Sequence, residues 1–205
     1  MPRAIIDDEL LDAVLPSRRR PAPYAVHPVR QDDHEPVADL DQRRTAWMRD
    51  RGLPVDPGRP VLSCLSESTA VRGVQLWVLY EGTLLQGAVA TSLAPALDVQ
   101  WRQQDGETSL WILDMVTDPS AHDAPGRWMT WWLASAFHRF TCISAVTCHE
   151  SLARKVAGLH VMELRTDARQ TSPHLLRRRT RHVPRLRNFV ACPDPVVTVP
   201  AHPRC

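Results

Sequence analysis

Lysine is all but missing from this chain: of 25 basic residues only Lys155 is a lysine, and the rest are arginines. We read this as a bias toward GC-rich codons rather than a functional choice, and 18 prolines against 8 glycines fit the same background. Cysteine pairs are absent too. Cys64, Cys142, Cys148, Cys192 and Cys205 form an odd set with no C-x-x-C spacing, so neither a disulfide framework nor a zinc site is suggested, and reduced thiols with no metal are expected. No apolar run approaches the ~18–20 residues that a membrane-spanning helix needs. The opening MPRAIIDDELLDAVLP lacks the basic start and apolar stretch of a secretory signal. A cytoplasmic protein with no membrane partner is the expectation. Tyrosine is scarce as well, with only Tyr24 and Tyr80.

What is present describes a globular chain. Its 205 residues suit one domain of roughly 100–200 residues plus ends. Apolar residues make up 43% and charged residues 23%, enough for a sizeable core and too apolar for disorder throughout. The net charge of +2 selects no partner.

Residues 1–22 read as an extension and linker. Ile5, Leu10, Leu11 and Val14 share one face of a short helical turn, which Pro16, Arg18 to Arg20, Pro21 and Pro23 bring to an end. YAVHPV (24–29) alternates as a strand. Asp32 and Asp33 then offer an N-cap, Pro36 sits in a first turn, and Val37, Leu40, Arg44, Trp47 and Met48 step by three and four, which predicts a helix over 33–51 that Gly52 stops. Residues 53–73 are rich in proline and polar residues and read as loop. VQLWVLY (74–80), a Glu81-Gly82 turn and TLLQGAVATSL (83–93) make the clearest hairpin.

A polar stretch leads to the strand TSLWILDMVTDP (108–119). Gly126 opens a helix whose inner face is Met129, Trp132, Leu133, Ala136, Phe137 and Phe140. CISAVTC (142–148) is a strand, and 151–157 a short helix capped by Gly158. HVMELRTD (160–167) and SPHLLRRRT (172–180) form a closing hairpin, and 184–205 read as a flexible proline-rich tail. The main domain therefore covers 23–183. The order of elements predicts a mixed α/β (α+β) sheet with helices on its faces. Periodicity supports that much and no chemistry.

With those strings on the page the chain resembles the GNAT superfamily of acyl-CoA-dependent N-acetyltransferases. The resemblance rests on YAVHPVRQDDHEPVADLDQRRTAWMRDRGL, WVLYEGTLLQGAVATS, SLWILDMVTDPSAHDAPGRWMTWWLASAF and SLARKVAGLHVMELRT, and spans roughly 24–180; GRWMTWWLASAF is particularly like actinobacterial members. It implies a central mixed sheet of about six to seven strands with about four helices, acetyl-CoA as co-substrate and an amine acceptor. In that family one strand splays from its parallel neighbour and its free backbone pairs with the pantetheine amides. Asp114, Met115, Val116 and Thr117 occupy that stretch here.

The loop that follows carries a Q/R-x-x-G-x-G/A pattern in the family, where small residues let backbone N–H groups reach the pyrophosphate at a helix N-terminus. This chain departs from it. One register places Ala124 and Gly126 at the small positions and Ala121 at the Gln/Arg position. The other places Gly126 first, Trp128 second and Asp123 at the Gln/Arg position. The first sets Met129 at the usual inward apolar place. In both, Asp123 repels phosphate and Pro125 removes one N–H donor, while His122 and Arg127 supply compensating positive charge.

Acetyl transfer needs a neutral amine and a thiolate leaving group. Asp114 is the candidate general base, with Glu81 and Glu107 as distant alternatives. The tyrosine that often serves as general acid has no counterpart in SLARKVAG (151–158), which leaves Ser151, Cys148 and His149 as neighbours of the thiol. A CoA thiolate, with a pKa near the ~8.5 of free cysteine, leaves tolerably without an acid. The implied function is acetyl transfer to a primary amine of a small molecule or peptide, and the alternative is a GNAT-like binding protein without catalysis. The family also implies a homodimer through the last strands. Trp128, Trp131 and Trp132 read as packing, and Cys148-His149-Glu150 cannot converge on one atom because alternate strand residues point apart. Arg177, Arg178, Arg179, Arg181, Arg185 and Arg187 read as a solvated strand and basic tail rather than a nucleic-acid surface.

Overall fold

The computed structural model describes residues 24–53, 55, 73–94, 108–121, 125–147, 150–158, 162–165 and 174–180. The 1–22 extension, the 53–73 loop beyond Leu53, Val55 and Gly73, Glu107, His122 to Ala124, Cys148, His149 and the tail lie outside the described residues, as do the side chains of Ser151 and His174. The described residues form β1 (Tyr24–Pro28), a 3-10 turn (Gln31–Asp33), α1 (His34–Asp50), β2 (Val74–Glu81), β3 (Leu84–Ser92), β4 (Ser109–Thr117), α2 (Pro125–Ala136), β5 (Cys142–Thr147), α3 (Glu150–Gly158), β6 (Glu163–Arg165) and β7 (His174–Arg179). The expected mixed α+β architecture is present, with one seven-stranded sheet in the order β1-β2-β3-β4-β5-β7-β6. All pairs are antiparallel except β4 with β5. The two last strands pair as a closing hairpin, with β7 seated between β5 and β6.

Local chemistry sets the element ends. α1 closes with a Schellman motif: Leu53 N–H donates to Met48 O, Gly52 N–H to Arg49 O, and Gly52 adopts φ +62°. Its start differs from expectation. Asp33 stands at the N-cap without capping α1; its carboxylate instead reaches back to Arg30 N–H at 2.7 Å, closing the 3-10 turn that precedes the helix. The β2–β3 turn is Gly82-Thr83 rather than Glu81-Gly82, because Glu81 still pairs with Leu84, and Gly82 supplies the positive φ of +61°. α2 begins one residue before Gly126, with Pro125 at the first helical position, where its missing N–H removes no helix bond.

The sheet buries apolar residues on both faces. On one, Trp77, Leu79, Val89, Leu110 and Ile143 meet Met129, Trp132, Leu133 and Phe137 of α2 and its following turn. On the other, Val78, Ala88, Ala90 and Val116 meet Val37 and Leu40 of α1. The inner-face pattern expected for α2 holds, with Ala136 and Phe140 partly buried at its end. Gly87 allows the close approach of α2: a Cβ there would lie 2.9 Å from Met129 Sδ and 3.2 Å from Val116 O.

The arginine run of β7 is not solvated as expected. Arg177 and Arg178 are half-buried and only Arg179 is exposed. Strand alternation points Arg177 at Cys142 Sγ, 2.8 Å away, and Arg178 at the Trp131 ring.

Candidate functional site

β4 and β5 pair for only four rungs, Ser109 to Ile112 against Cys142 to Ala145, and then part. β4 continues with β3 as far as Thr117 opposite Gly87. The parting coincides with a bulge. The β3–β4 register steps from Thr91 opposite Ile112 to Ala90 opposite Asp114, which leaves Leu113 as an extra residue on β4. A bulge increases local twist and inverts which face each following side chain takes. Ile112 belongs to the α2 face, yet Val116 lies in the α1 cluster and Met115 packs toward α2. Past Leu113, the rest of β4 presents a backbone edge toward β5 with no strand pairing among the described residues.

Asp114, Met115, Val116 and Thr117 all stand on this parted segment, as expected. Asp114 shares the parity of Val116 and so faces the α1 side. Its Oδ1 accepts the Met115 N–H at 2.8 Å, which engages one of the backbone donors of the edge. Met115 and Thr117 face α2, where a Cβ on Gly126 would meet Met115 Sδ at 3.2 Å and Thr117 Cγ2 at 3.6 Å. The start of α2 therefore sits directly over the open part of β4. Thr130 Oγ1 donates to Gly126 O at 2.8 Å, tying down that first turn.

No acidic residue occupies the first turn of α2, and Arg127 stands there instead, against the helix dipole. An anion at this terminus would relieve that arrangement. The Arg127 guanidinium lies 4.6 Å over the Trp131 ring. Trp128 bridges inward, 5.6 Å from the Tyr24 ring and 5.4 Å from that of Trp131. The structure thus brings Asp114 to Thr117, Gly126, Arg127 and Trp128 to one end of the sheet, while His122 and Ala124 fall outside the described residues.

Tyr24 packs its ring on Trp128 at the border of this site, and the Tyr80 hydroxyl is engaged with Asp33. Tyr24 is buried in the core. Tyr80 follows Leu79, which sits opposite Gly87 and thus in register with Thr117, so it lies two strands across from the open end of β4 rather than beside Asp114. Its hydroxyl donates to Asp33 Oδ1 at 2.8 Å, and burial, followed by the Asp33 bond and charge, pushes its pKa up to about 12. His27 stacks on the same ring at 5.5 Å. Glu81 lies one residue further still.

Sequence reasoning missed Asp118, the residue after β4. Its N–H donates to Gln86 O at 2.9 Å. Its Oδ1 accepts both the N–H and the hydroxyl of Ser120, at 2.8 and 2.6 Å, and its Oδ2 accepts Arg43 Nη1 of α1 at 2.5 Å. Burial alone would push the Asp118 carboxyl up, but the Ser120 and Arg43 bonds outweigh it and hold it below the usual value. The Asp118-Pro119 pair at a strand end was a turn signal, but nothing in the sequence pointed to Arg43, 75 residues away. Among the described residues no helix is long and apolar enough to cross a membrane.

No family model matches the sequence, and no curated protein matches it either. Solved structures do. An acetyltransferase from Thermus thermophilus is similar at TM-score 0.54 and 12% identity over 77% of this chain and 97% of its own. A GNAT-family acetyltransferase from Listeria monocytogenes is similar at 0.53 and 10%, over 76% and 94%. An acetyl transferase from Salmonella typhimurium that modifies the N-terminal serine of the 50S ribosomal subunit protein L7/L12 is similar at 0.51 and 8%, over 75% and 93%. At such identities backbone likeness speaks for architecture, and the chain has the fold of the GNAT acetyltransferases.

Proposed function

We propose that this protein is an acyl-CoA-dependent N-acetyltransferase that acts on a primary amine of a small molecule or peptide. The observation that carries the reading is the parting of β4 from β5 at the Leu113 bulge, directly beneath the N-terminus of α2. An extended pantetheine arm would lie along the free edge of Leu113 to Thr117 as a neighbouring strand does. The pyrophosphate would then meet the first turn of α2, where Gly126 keeps the backbone accessible and Arg127 supplies charge. His122 and Ala124 belong to the same expected contact.

In the reaction the amine nitrogen bonds to the acetyl carbon, the carbon–sulfur bond breaks, and CoA leaves as thiolate. One ammonium proton of the acceptor goes to Asp114, directly or through water, and the second N–H proton, shed as the amide forms, goes to water or to the departed thiolate. With Tyr80 held by Asp33 and no tyrosine in α3, the thiolate departs without a tyrosine acid. One structural neighbour modifies the N-terminal serine of a ribosomal subunit protein, and a peptide N-terminus belongs to the acceptor class proposed here.

A second reading is a GNAT-like binding protein without turnover. The engagement of the Met115 N–H by Asp114 favours it, because that donor is then spent within the chain. Calorimetry with acetyl-CoA at low and moderate salt, followed by thiol release with a panel of amines, separates the two. Micromolar binding with amine-dependent release supports the transferase. Binding without release from any amine supports the silent scaffold, and no binding at millimolar ligand removes the transferase and leaves a GNAT-like scaffold reused for recognition.

A further inference from the structure

We propose that the indole N–H of Trp111 holds an oxygen of the acceptor, and that the acceptor is a peptide N-terminus rather than a bare alkylamine. The inference rests on the transferase reading above and deepens it, because it names what the acceptor carries besides its amine.

The strand register sets a polar row on the α1 face of the sheet. Ser92 of β3 stands opposite Trp111 of β4, Trp111 opposite Ser144 of β5, and Ser144 opposite Arg177 of β7. Where α1 packs, on β3 and β4, the same face is apolar, with Val78, Ala88, Ala90 and Val116. The row and its neighbours bond largely to one another. Ser144 Oγ donates to Ser109 Oγ at 3.2 Å, Ser109 Oγ lies 3.0 Å from Cys142 Sγ, and Arg177 Nη2 donates to that sulfur at 2.8 Å. Ser92 Oγ accepts the Ala94 N–H at 3.1 Å.

Trp111 is the exception in this row. The residue is 4% exposed, and its Nε1 has no hydrogen-bond partner. Among the described residues it is the one fully buried side chain with an unmet donor. Trp77, on the other face, shows the satisfied case, its Nε1 donating to Thr91 Oγ1 at 3.1 Å. A buried N–H without an acceptor loses its bond to water and gains nothing in exchange, so native structures hold few of them. A ligand oxygen supplies the missing acceptor.

The place of Trp111 fits the acceptor and not the donor. Trp111 pairs with Ser144 one rung before the last, after which β4 and β5 part. The donor's phosphates belong with α2 on one face, so the amine arrives from the other, which Asp114 and Trp111 share. Their partners on β3, Ala90 and Ser92, are two residues apart, a separation of ~7 Å along the sheet. Two residues of extended peptide cover the same length. A peptide whose α-amine meets Asp114 thus brings the carbonyl of its second residue to the level of Trp111. An alkylamine has no oxygen to offer the indole.

The test supplies acetyl-CoA with either trialanine amide or n-hexylamine as acceptor. It compares wild type with Trp111→Phe, which keeps an aromatic ring without an N–H, and Trp111→His, which restores a ring N–H. In Trp111→Phe the preference in kcat/KM for the peptide over the alkylamine is expected to fall about three- to tenfold, the worth of one neutral hydrogen bond. The loss should appear in KM for the peptide, and Trp111→His should recover part of it. A second readout needs no turnover. With isotope-labelled tryptophan, the Trp111 indole N–H signal, identified by its absence from either variant, should move downfield with the peptide and stay in place with hexylamine. A preference that Trp111→Phe leaves intact overturns the inference, as does an indole signal that the peptide does not move. Should neither variant fold, the wild-type spectrum decides: a slowly exchanging indole moved by the peptide alone supports the inference, and none moved overturns it. Wild-type protein that fails to bind acetyl-CoA overturns the transferase reading itself, a result distinct from turnover whose preference Trp111→Phe leaves unchanged.

Discussion

The hydroxyl of Tyr80 donates a 2.8 Å hydrogen bond to the buried carboxylate of Asp33, 47 residues earlier in the chain. Asp33 accepts from the Arg30 backbone with its other oxygen, so one carboxylate fastens the entry of α1 to β2. Tyr80→Phe would leave that oxygen without its donor. The expected loss is about 1–3 kcal/mol of stability, the usual cost of orphaning a buried acceptor, read as a lower midpoint in urea. In the folded protein Tyr80 should lose its proton only at about pH 12, against ~10 for an unfolded tyrosine. A raised folded pKa means the contribution is complete below about pH 10 and is lost as pH rises through 12. Absorbance titration of the two tyrosines, compared with Tyr80→Phe, checks this.

Gly87→Ala tests the fit of α2 on the sheet. The added methyl would stand 2.9 Å from Met129 Sδ and 3.2 Å from a backbone carbonyl. The sulfur can shift but the carbonyl cannot, so a destabilisation of about 1–3 kcal/mol is expected. In a double-mutant cycle, Gly87→Ala should cost more than half as much in a Met129→Ala protein as in wild type if the carbonyl is the obstacle. No cost there would assign the strain to the methionine alone.

Gly126→Val is expected to weaken acetyl-CoA binding at least tenfold by crowding the first turn of α2. Its Cβ would also press on Met115 Sδ at 3.2 Å. The thermal midpoint must therefore be measured beside the calorimetry. Unchanged affinity removes Gly126 from the donor site.

Asp114→Asn keeps an oxygen for the Met115 N–H while abolishing the base. Turnover should fall about 10²–10⁴-fold, the range for losing general-base catalysis, with donor affinity nearly intact. Unaltered turnover would place the base elsewhere.

Much of the fold was legible because its signals are local. The stepping of Met129, Trp132, Leu133 and Phe137, the glycine after α1, and the hairpin around Gly82 each act within a few residues. The errors came where tertiary partners outbid local ones. Asp33 gave up capping α1 for Arg30 and Tyr80, and the Arg177 and Arg178 side chains turned inward to Cys142 and Trp131. The candidate site was legible only by resemblance, as the stretch Asp114 to Thr117 and the helix start at Gly126, Arg127 and Trp128. What opens that stretch is a bulge at Leu113, and a one-residue register step leaves no compositional mark. Arg43 with Asp118 was invisible for a similar reason, since a pairing across 75 residues is written in the topology rather than in either neighbourhood.

The seating of β7 between β5 and β6 bears on how the chain is made. A ribosome delivers β5 long before His174 to Arg179, and until those six residues arrive the outer edge of β5 has no neighbour among the strands described. β6 too is synthesised before β7, its one partner among those strands. The nascent protein therefore carries an open sheet edge for the time it takes to translate about thirty residues, roughly 1.5–6 s at ~5–20 residues per second. Its sheet is completed from the C-terminal side, in one late step, by a strand that carries three consecutive arginines.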